Sequence, residues 1–238
     1  MGQMPSSTTA AFRCCWPRLP PVAGKDPAQV EEALLLLDKV YEGHLWHPFF
    51  RSGDSSAAQR FTKEKLGSDM AAVYGELSPF SLVAMLNCMS AEAGQRFYDL
   101  GCGTGKAVLL AGLLGLSATG IEIIKERYDT ACAALENLKA QVKHGCEEIR
   151  LLHADVLEVD FCDADIVYSH NLTWPPDVLQ KVAQMAAGLR KGSLVASSKS
   201  LEGPGLKEAT QLSLITNYDS DATMRVFVAI GASDKLKP

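Results

Sequence analysis

At 238 residues, with 47% hydrophobic and 21% charged side chains, the chain has room for one large domain, or a domain and a small extension, and its composition excludes a collagen-like, fibrous or wholly disordered protein. The net charge of −5 gives no overall attraction to nucleic acid, and Arg190-Lys191 is the only adjacent basic pair, so strong intrinsic nucleic-acid binding is not expected. The seven cysteines form no C-x-x-C pair and no zinc-spaced cluster with histidine; they read as reduced thiols of an intracellular protein in the nucleus or cytoplasm.

Residues 1–25 read as a flexible tail rich in Ser, Thr and Pro, with no acidic residue before Asp26. Met1-Gly2-Gln3-Met4-Pro5-Ser6 also fits an N-myristoylation pattern, and Cys14-Cys15 offers a second acylation point, so membrane contact is expected only if this tail is acylated. An acid-poor transit peptide is a further reading. No apolar run reaches the length of a transmembrane helix, and no secretory signal is evident.

From Asp26 the period becomes helical, with Val30, Ala33, Leu34, Leu37, Val40 and Tyr41 on one stripe. Residues 44–60 read as a loop, and a second helix is predicted over Phe61–Val73. Ser78-Pro79 supplies an N-cap followed by proline at the first helical position and opens a third helix. Beyond Gly94 strands and helices alternate. Strands are predicted at Arg96–Leu100, Ala118–Ile123, Ile149–His153, Asp165–Ser169 and Ser193–Ser198. Helices are predicted at Lys106–Leu114, Lys125–Lys143 and Asp177–Leu189. Thr210–Thr216 and Thr223–Ala232 then form a terminal antiparallel hairpin. The expected fold is α/β, with a mostly parallel sheet covered on both faces. The chain divides into the tail (1–25), a helical lead-in (26–92) and the α/β core (93–238).

The strongest signal is Asp99-Leu100-Gly101-Cys102-Gly103-Thr104-Gly105-Lys106, where an apolar strand enters three alternating glycines and then a helix. In open parallel sheets such turns hold ligands at the carboxyl ends of the strands. A dinucleotide fingerprint G-x-G-x-x-G fails in both registers, because Lys106 and Val108 stand where the last glycine is needed. A Walker A loop fails because Ala107 follows Gly105-Lys106 and Leu100 replaces the leading glycine. An acidic residue also closes each of the next two strand regions, Glu122 and Asp155. A carboxylate about 20 residues after the first strand accepts from ribose hydroxyls, and Asp99 disfavours a phosphate at the turn.

Asp-x-Gly-x-Gly-x-Gly resembles motif I of class I S-adenosylmethionine-dependent methyltransferases, whose layout is a seven-stranded sheet with a terminal hairpin. With Val73-Tyr74-Gly75-Glu76-Leu77-Ser78, Ser169-His170-Asn171-Leu172-Thr173-Trp174-Pro175-Pro176, Ser197-Ser198-Lys199 and Met224-Arg225-Val226, the chain resembles the non-SET histone-lysine methyltransferases, the family named for disruption of telomeric silencing. The resemblance runs from about Val73 onward. It implies S-adenosyl-L-methionine as cofactor and a protein-lysine substrate, with a histone in a nucleosome as the expected case. It assigns Tyr74, Gly75, Glu76 and Leu77 to a loop closing over the cofactor. Asp99, Gly101, Gly103, Gly105 and Lys106 would line the methionine side, Glu122 the ribose, and Asp155 and Val156 the adenine. Asn171 would stand at the mouth of the lysine channel beside the methyl and Trp174 on its wall, so that Asn171, Tyr74 and Trp174 carry the catalytic geometry. No metal is implied. The sequence departs from the family at His170, Leu172 and Lys106, and has no counterpart of its DNA-gripping basic extension. Methylation of a non-histone protein or small molecule, or a non-catalytic binding module, are the alternatives.

Overall fold

The computed structural model describes residues 19–42, 56–67, 73–201 and 203–231; the acylation motif and most of the expected 44–60 loop lie outside them. Helix α1 (Pro27–Val40) begins where the sequence places a stop for extended chain. Asp26 accepts from the backbone N–H groups of Ala28 and Gln29, and the Gln29 side chain returns a bond to the Asp26 N–H. This reciprocal cap satisfies donors that otherwise lack partners in a first helical turn. The helix buries Val30, Leu34 and Leu37 completely, the i, i+4, i+7 stripe expected of it, each burial worth roughly 1.5–3 kcal/mol.

Helix α2 covers Ser56–Leu66, displaced towards the N-terminus from the predicted Phe61–Val73. Gly67, with φ +68°, is a residue that leaves the helical region without steric penalty, and it stands directly after the last helical residue. Helix α3 (Pro79–Cys88) starts as read: Ser78 Oγ accepts from Ser81 N, with Pro79 in the first turn.

The core then alternates: β1 (Arg96–Leu100), α4 (Lys106–Leu113), β2 (Ser117–Glu122), α5 (Lys125–Gln141), β3 (Ile149–His153), β4 (Ile166–Ser169), α6 (Pro176–Ala186), β5 (Leu194–Ser197), β6 (Leu206–Leu214) and β7 (Ala222–Ala229). One seven-stranded sheet results, in the order β3-β2-β1-β4-β5-β7-β6. The first five strands are parallel, and β7 and β6 run antiparallel at one edge. The strand β6 begins four residues before the predicted Thr210. Its residues Lys207–Gln211 are exposed along an outer edge, so no alternation of apolar residues marks its start, and a bulge between Glu208 and Thr210 breaks the register.

The two faces of the sheet bury different residues. Phe97, Ile166, Tyr168, Ala196 and Val226 face an apolar cluster containing α1, α3 and α4. Leu100, Val167, Val195 and Phe227 face a second cluster containing α6. Neighbours in sequence thus point to opposite sides, as pleating requires. The strand order reverses between β1 and β4, so the chain leaves these two strands in opposite directions and a crevice opens at their carboxyl ends.

Candidate functional site

Everything the sequence singles out around the glycine turn converges on that crevice. Gly101, Gly103 and Gly105 have φ of +85°, +56° and +86°, a region that side chains other than glycine rarely occupy. Space is equally restrictive at Gly103, where a Cβ would stand 2.4 Å from Tyr74 Cε2. A Cβ at Gly101 would meet Trp174 Cζ2 at 3.2 Å. The glycines therefore admit the Tyr74 and Trp174 rings against the turn.

Glu122, at the end of β2, is buried and accepts from Gly103 N and Ile124 N, each at 2.8 Å. Burial pushes its carboxyl up, while the Arg127 guanidinium and the backbone N–H groups pull it back. Asp99, at the end of β1, is 2% exposed, and its Oδ1 is a buried atom without a hydrogen-bond partner among the described residues. Burial holds its carboxyl well above the usual range, and Glu122 and Glu76 push it the same way. A buried, unpaired acceptor costs on the order of 1–3 kcal/mol, which a cationic donor in the crevice would recover.

Tyr74 and Glu76 belong to the segment that lies over the turn. Tyr74 Oη donates to Glu76 Oε2 at 2.5 Å and lies 3.0 Å from Thr104 Oγ1. Lys106 Nζ, also buried, donates to Glu76 Oε1 at 2.5 Å. The Arg127 guanidinium stacks 5.0 Å from the centre of the Tyr74 ring. The segment is held from behind by the β6–β7 turn. Asn217 N donates to Glu76 O, Asn217 Oδ1 accepts from Glu76 N, Leu77 pairs with Thr216, and Ser78 N donates to Ile215 O. Tyr218 and His170 cover Gly75, where a Cβ would lie 2.7 Å from Tyr218 Cε1.

Three cavities with shared lining residues surround this segment. The first is lined by Tyr74, Gly75, Glu76, Leu77, Asp99, Gly101 and Lys106, among others. The second holds Gly103, Glu122, Asp155, Val156 and Trp174 beside Tyr74, Gly75 and Gly101. The third lies beyond, against Leu77, Leu172, Tyr218 and Met224. S-adenosylmethionine fits the first two on two independent observations. The orphaned Asp99 Oδ1 suits the ammonium of the methionyl end. Each Glu122 oxygen, already holding one N–H, keeps a further lone pair for a ribose hydroxyl. Asp155 Oδ1 accepts from Leu157 N, and Oδ2 lies 3.6 Å from Lys65 Nζ of α2, which brings this helix beside the Asp155 end of the second cavity.

The structure thus brings together every sequence-predicted cofactor residue except Gly105 and Asn171. Gly105 instead caps α4 and packs on Ala131. Asn171 differs from the expected channel mouth: it is fully buried, behind the cavity wall. Its Nδ2 donates to Ser197 Oγ at 2.9 Å, and its Oδ1 accepts from Lys199 N at 3.0 Å. The serine and lysine of Ser197-Ser198-Lys199 thereby anchor the loop after β4. His170, the preceding residue, takes the cavity-facing place. Sequence reasoning named His170 only as a departure from the family and passed over Tyr218, Asn217 and Arg127. All four act through partners more than 40 residues away in sequence, a relation that no local pattern displays.

The family model described as "Histone methylation protein DOT1" matches residues 57–226. A histone H3 lysine-79-specific lysine N-methyltransferase of Dictyostelium discoideum is 28% identical over 139 residues, covering 54% of this chain and 8% of that protein. One of the same description from Kluyveromyces lactis is 30% identical over 148 residues, covering 56% of this chain and 25% of its own length. The chain therefore spans a quarter or less of these two relatives. The O-methyltransferase resE of Aspergillus sclerotiorum is 26% identical over 182 residues, covering 75% of this chain and 61% of that protein. With a seven-stranded methyltransferase sheet, a crevice at its switch point and a family match across most of its length, the chain belongs to the DOT1 histone-methylation family within the class I S-adenosylmethionine-dependent methyltransferases.

Proposed function

We propose that the chain is an S-adenosylmethionine-dependent protein-lysine N-methyltransferase acting on a histone lysine in the nucleus. The observation that carries the cofactor part is the unpaired, buried Asp99 Oδ1 on the first cavity, with Glu122 on the adjoining second. Family membership and the two histone-lysine methyltransferase relatives support the substrate part.

When bound, the cofactor supplies an electrophilic methyl on a sulfonium. Asp99 would hold its amino end, Glu122 its ribose, and the Tyr74–Glu76 segment would cover it. Tyr74, Gly75, Gly101 and His170, which line both of the first two cavities, would surround its sulfonium end. A lysine amine has a pKa of about 10.4, and making it neutral at pH 7 costs about 4.6 kcal/mol. Leu77, Leu172 and Met224 of the third cavity disfavour the ammonium form by desolvation, against the Asp219 carboxylate in the same lining, which favours it. The remaining contribution is alignment, which in well-oriented systems accounts for several kcal/mol.

The test is incubation with a tritiated methyl donor and, in parallel, recombinant nucleosomes, free histones and a cell extract, followed by identification of the labelled residue. Label on a histone lysine supports the proposal. Label confined to a small molecule overturns it in favour of the second reading, small-molecule methylation. That reading draws on the O-methyltransferase relative, which matches three quarters of the chain.

A further inference from the structure

His170 lines all three cavities. The first two share Tyr74, Gly75, Gly101 and His170, around the sulfonium end of the proposed cofactor site, and the third shares His170 with both and Leu77 with the first. Tyr218, the partner of the His170 ring, lines the third. Both nitrogens of the ring are engaged. Nδ1 lies 2.9 Å from Ser198 Oγ, and Nε2 lies 2.7 Å from Tyr218 Oη. The rings are tilted at 49° with centroids 5.7 Å apart. Ser198 is buried at the end of β5, whereas Tyr218 is 52% exposed on the β6–β7 turn. One bond is thus fixed to the sheet and the other to a surface side chain.

We propose that His170 is the substrate-positioning residue of this enzyme: its Nε2 accepts a hydrogen bond from the reacting amine, which displaces the Tyr218 hydroxyl on arrival from the third cavity. The inference rests on the methyltransferase reading of the same crevice. In the tautomer this role requires, Nδ1–H donates to Ser198 Oγ, a hydroxyl able to accept as well as donate, and the Nε2 lone pair accepts from the Tyr218 hydroxyl until the amine replaces it. Burial pulls the imidazole down to about 4, so it is neutral at working pH and adds no positive charge beside a sulfonium and an amine. It takes no proton; accepting one N–H of the neutral amine aims the nitrogen lone pair at the methyl. Leu77, Leu172 and Met224 suit a methylene stem, and Asp219 beside them suits attraction of an ammonium.

The test uses the full chain labelled with ¹⁵N-histidine, saturated with S-adenosylhomocysteine, and n-butylamine as the lysine side-chain probe at pH 9.5. The His170 signals are assigned by their loss in His170→Asn. The expected result is a saturable movement of the Nε2 resonance with butylamine. In Tyr218→Phe, which has no hydroxyl to displace, the amine binds at least about threefold more tightly. With nucleosomes as substrate, His170→Ala lowers kcat by about tenfold or more while S-adenosylhomocysteine affinity by calorimetry stays within about threefold. His170→Asn, which keeps an acceptor oxygen, recovers most of that loss. A protein that binds S-adenosylhomocysteine but whose Nε2 signal ignores butylamine, or whose His170→Ala variant keeps its kcat, overturns the positioning role alone. Failure of the wild-type chain to bind S-adenosylhomocysteine overturns the methyltransferase reading and this role with it.

Discussion

Asp99, buried, and His170, half-buried, are titratable groups at the carboxyl ends of adjacent strands, and their environments push stability in opposite directions with pH. The Asp99 carboxyl is raised in the folded protein, so its contribution is fully present below about 3.9, the unfolded value, and is lost as pH rises through the raised value. The His170 imidazole is lowered from 6.5 to about 4, so stability rises with pH between those values. Asp99→Asn is therefore expected to make the ligand-free protein more stable than wild type at pH 7, with the gap closing towards pH 4, in thermal melts across pH. The same substitution removes the anionic partner of the cofactor's ammonium and is expected to weaken S-adenosylmethionine binding by tenfold to a hundredfold, about 1.4–2.8 kcal/mol, by calorimetry. A variant that loses both stability and affinity contradicts this division. Gly103→Ala provides a steric counterpart. A left-handed φ costs about 1–2 kcal/mol with a Cβ, and Tyr74 Cε2 stands 2.4 Å from it. A fall of several degrees in melting temperature, together with loss of cofactor-induced stabilisation, is expected; unchanged cofactor stabilisation speaks against Tyr74 packing on the turn.

The covering segment Val73–Ser78 contributes few apolar contacts of its own and depends on the β6–β7 turn for its backbone bonds. Asn217→Ala removes the acceptor for Glu76 N and leaves the backbone bond from Asn217 N in place. A loss of about 1 kcal/mol in local stability is expected, read as faster hydrogen exchange at residues 74–78 with exchange in β1 and β2 unchanged, and as weaker cofactor binding. Uniform acceleration through the sheet would mean that the hairpin supports the whole fold and not this segment. Such dependence also marks the limit of what the sequence displays. The parallel strands β2, β4 and β5 are legible because they are buried on both faces and read as apolar runs, and the glycine turn is legible because three glycines and two carboxylates recur at fixed offsets. The clamp is not, since Glu76 and Asn217 stand 141 residues apart and bond mainly through backbone. Asn171 was legible as a position but not as an orientation. Its burial follows from Ser197 and Lys199 in the neighbouring strand, and the residue before it faces the cavities.

At the scale of the molecule, charge decides how a substrate as large as a nucleosome is approached. The chain carries 23 Lys and Arg against 28 Asp and Glu, and Arg190 of its adjacent basic pair is bound to Asp165. Arg96 and Arg225 are likewise paired, with Asp163 and Glu208. These three guanidiniums are thus already matched by carboxylates. Each phosphate contact contributes about 0.9 to the slope of log affinity against log salt concentration. A chain making two such contacts or fewer loses about tenfold or less in nucleosome affinity between about 50 and 200 mM salt, whereas one gripping DNA through many contacts loses roughly a thousandfold or more. The shallow dependence is expected here, with free DNA of equal length binding weakly at the upper concentration. A steep slope in a fluorescence-anisotropy titration would show that a basic surface forms on binding, and would shift recognition from the histone to the DNA around it. With a shallow slope, selection of the substrate falls to the third cavity and its rim, where Leu172 and Tyr218 are exposed. Replacing both with serine should then raise KM for nucleosomes while leaving affinity for the methyl donor unchanged.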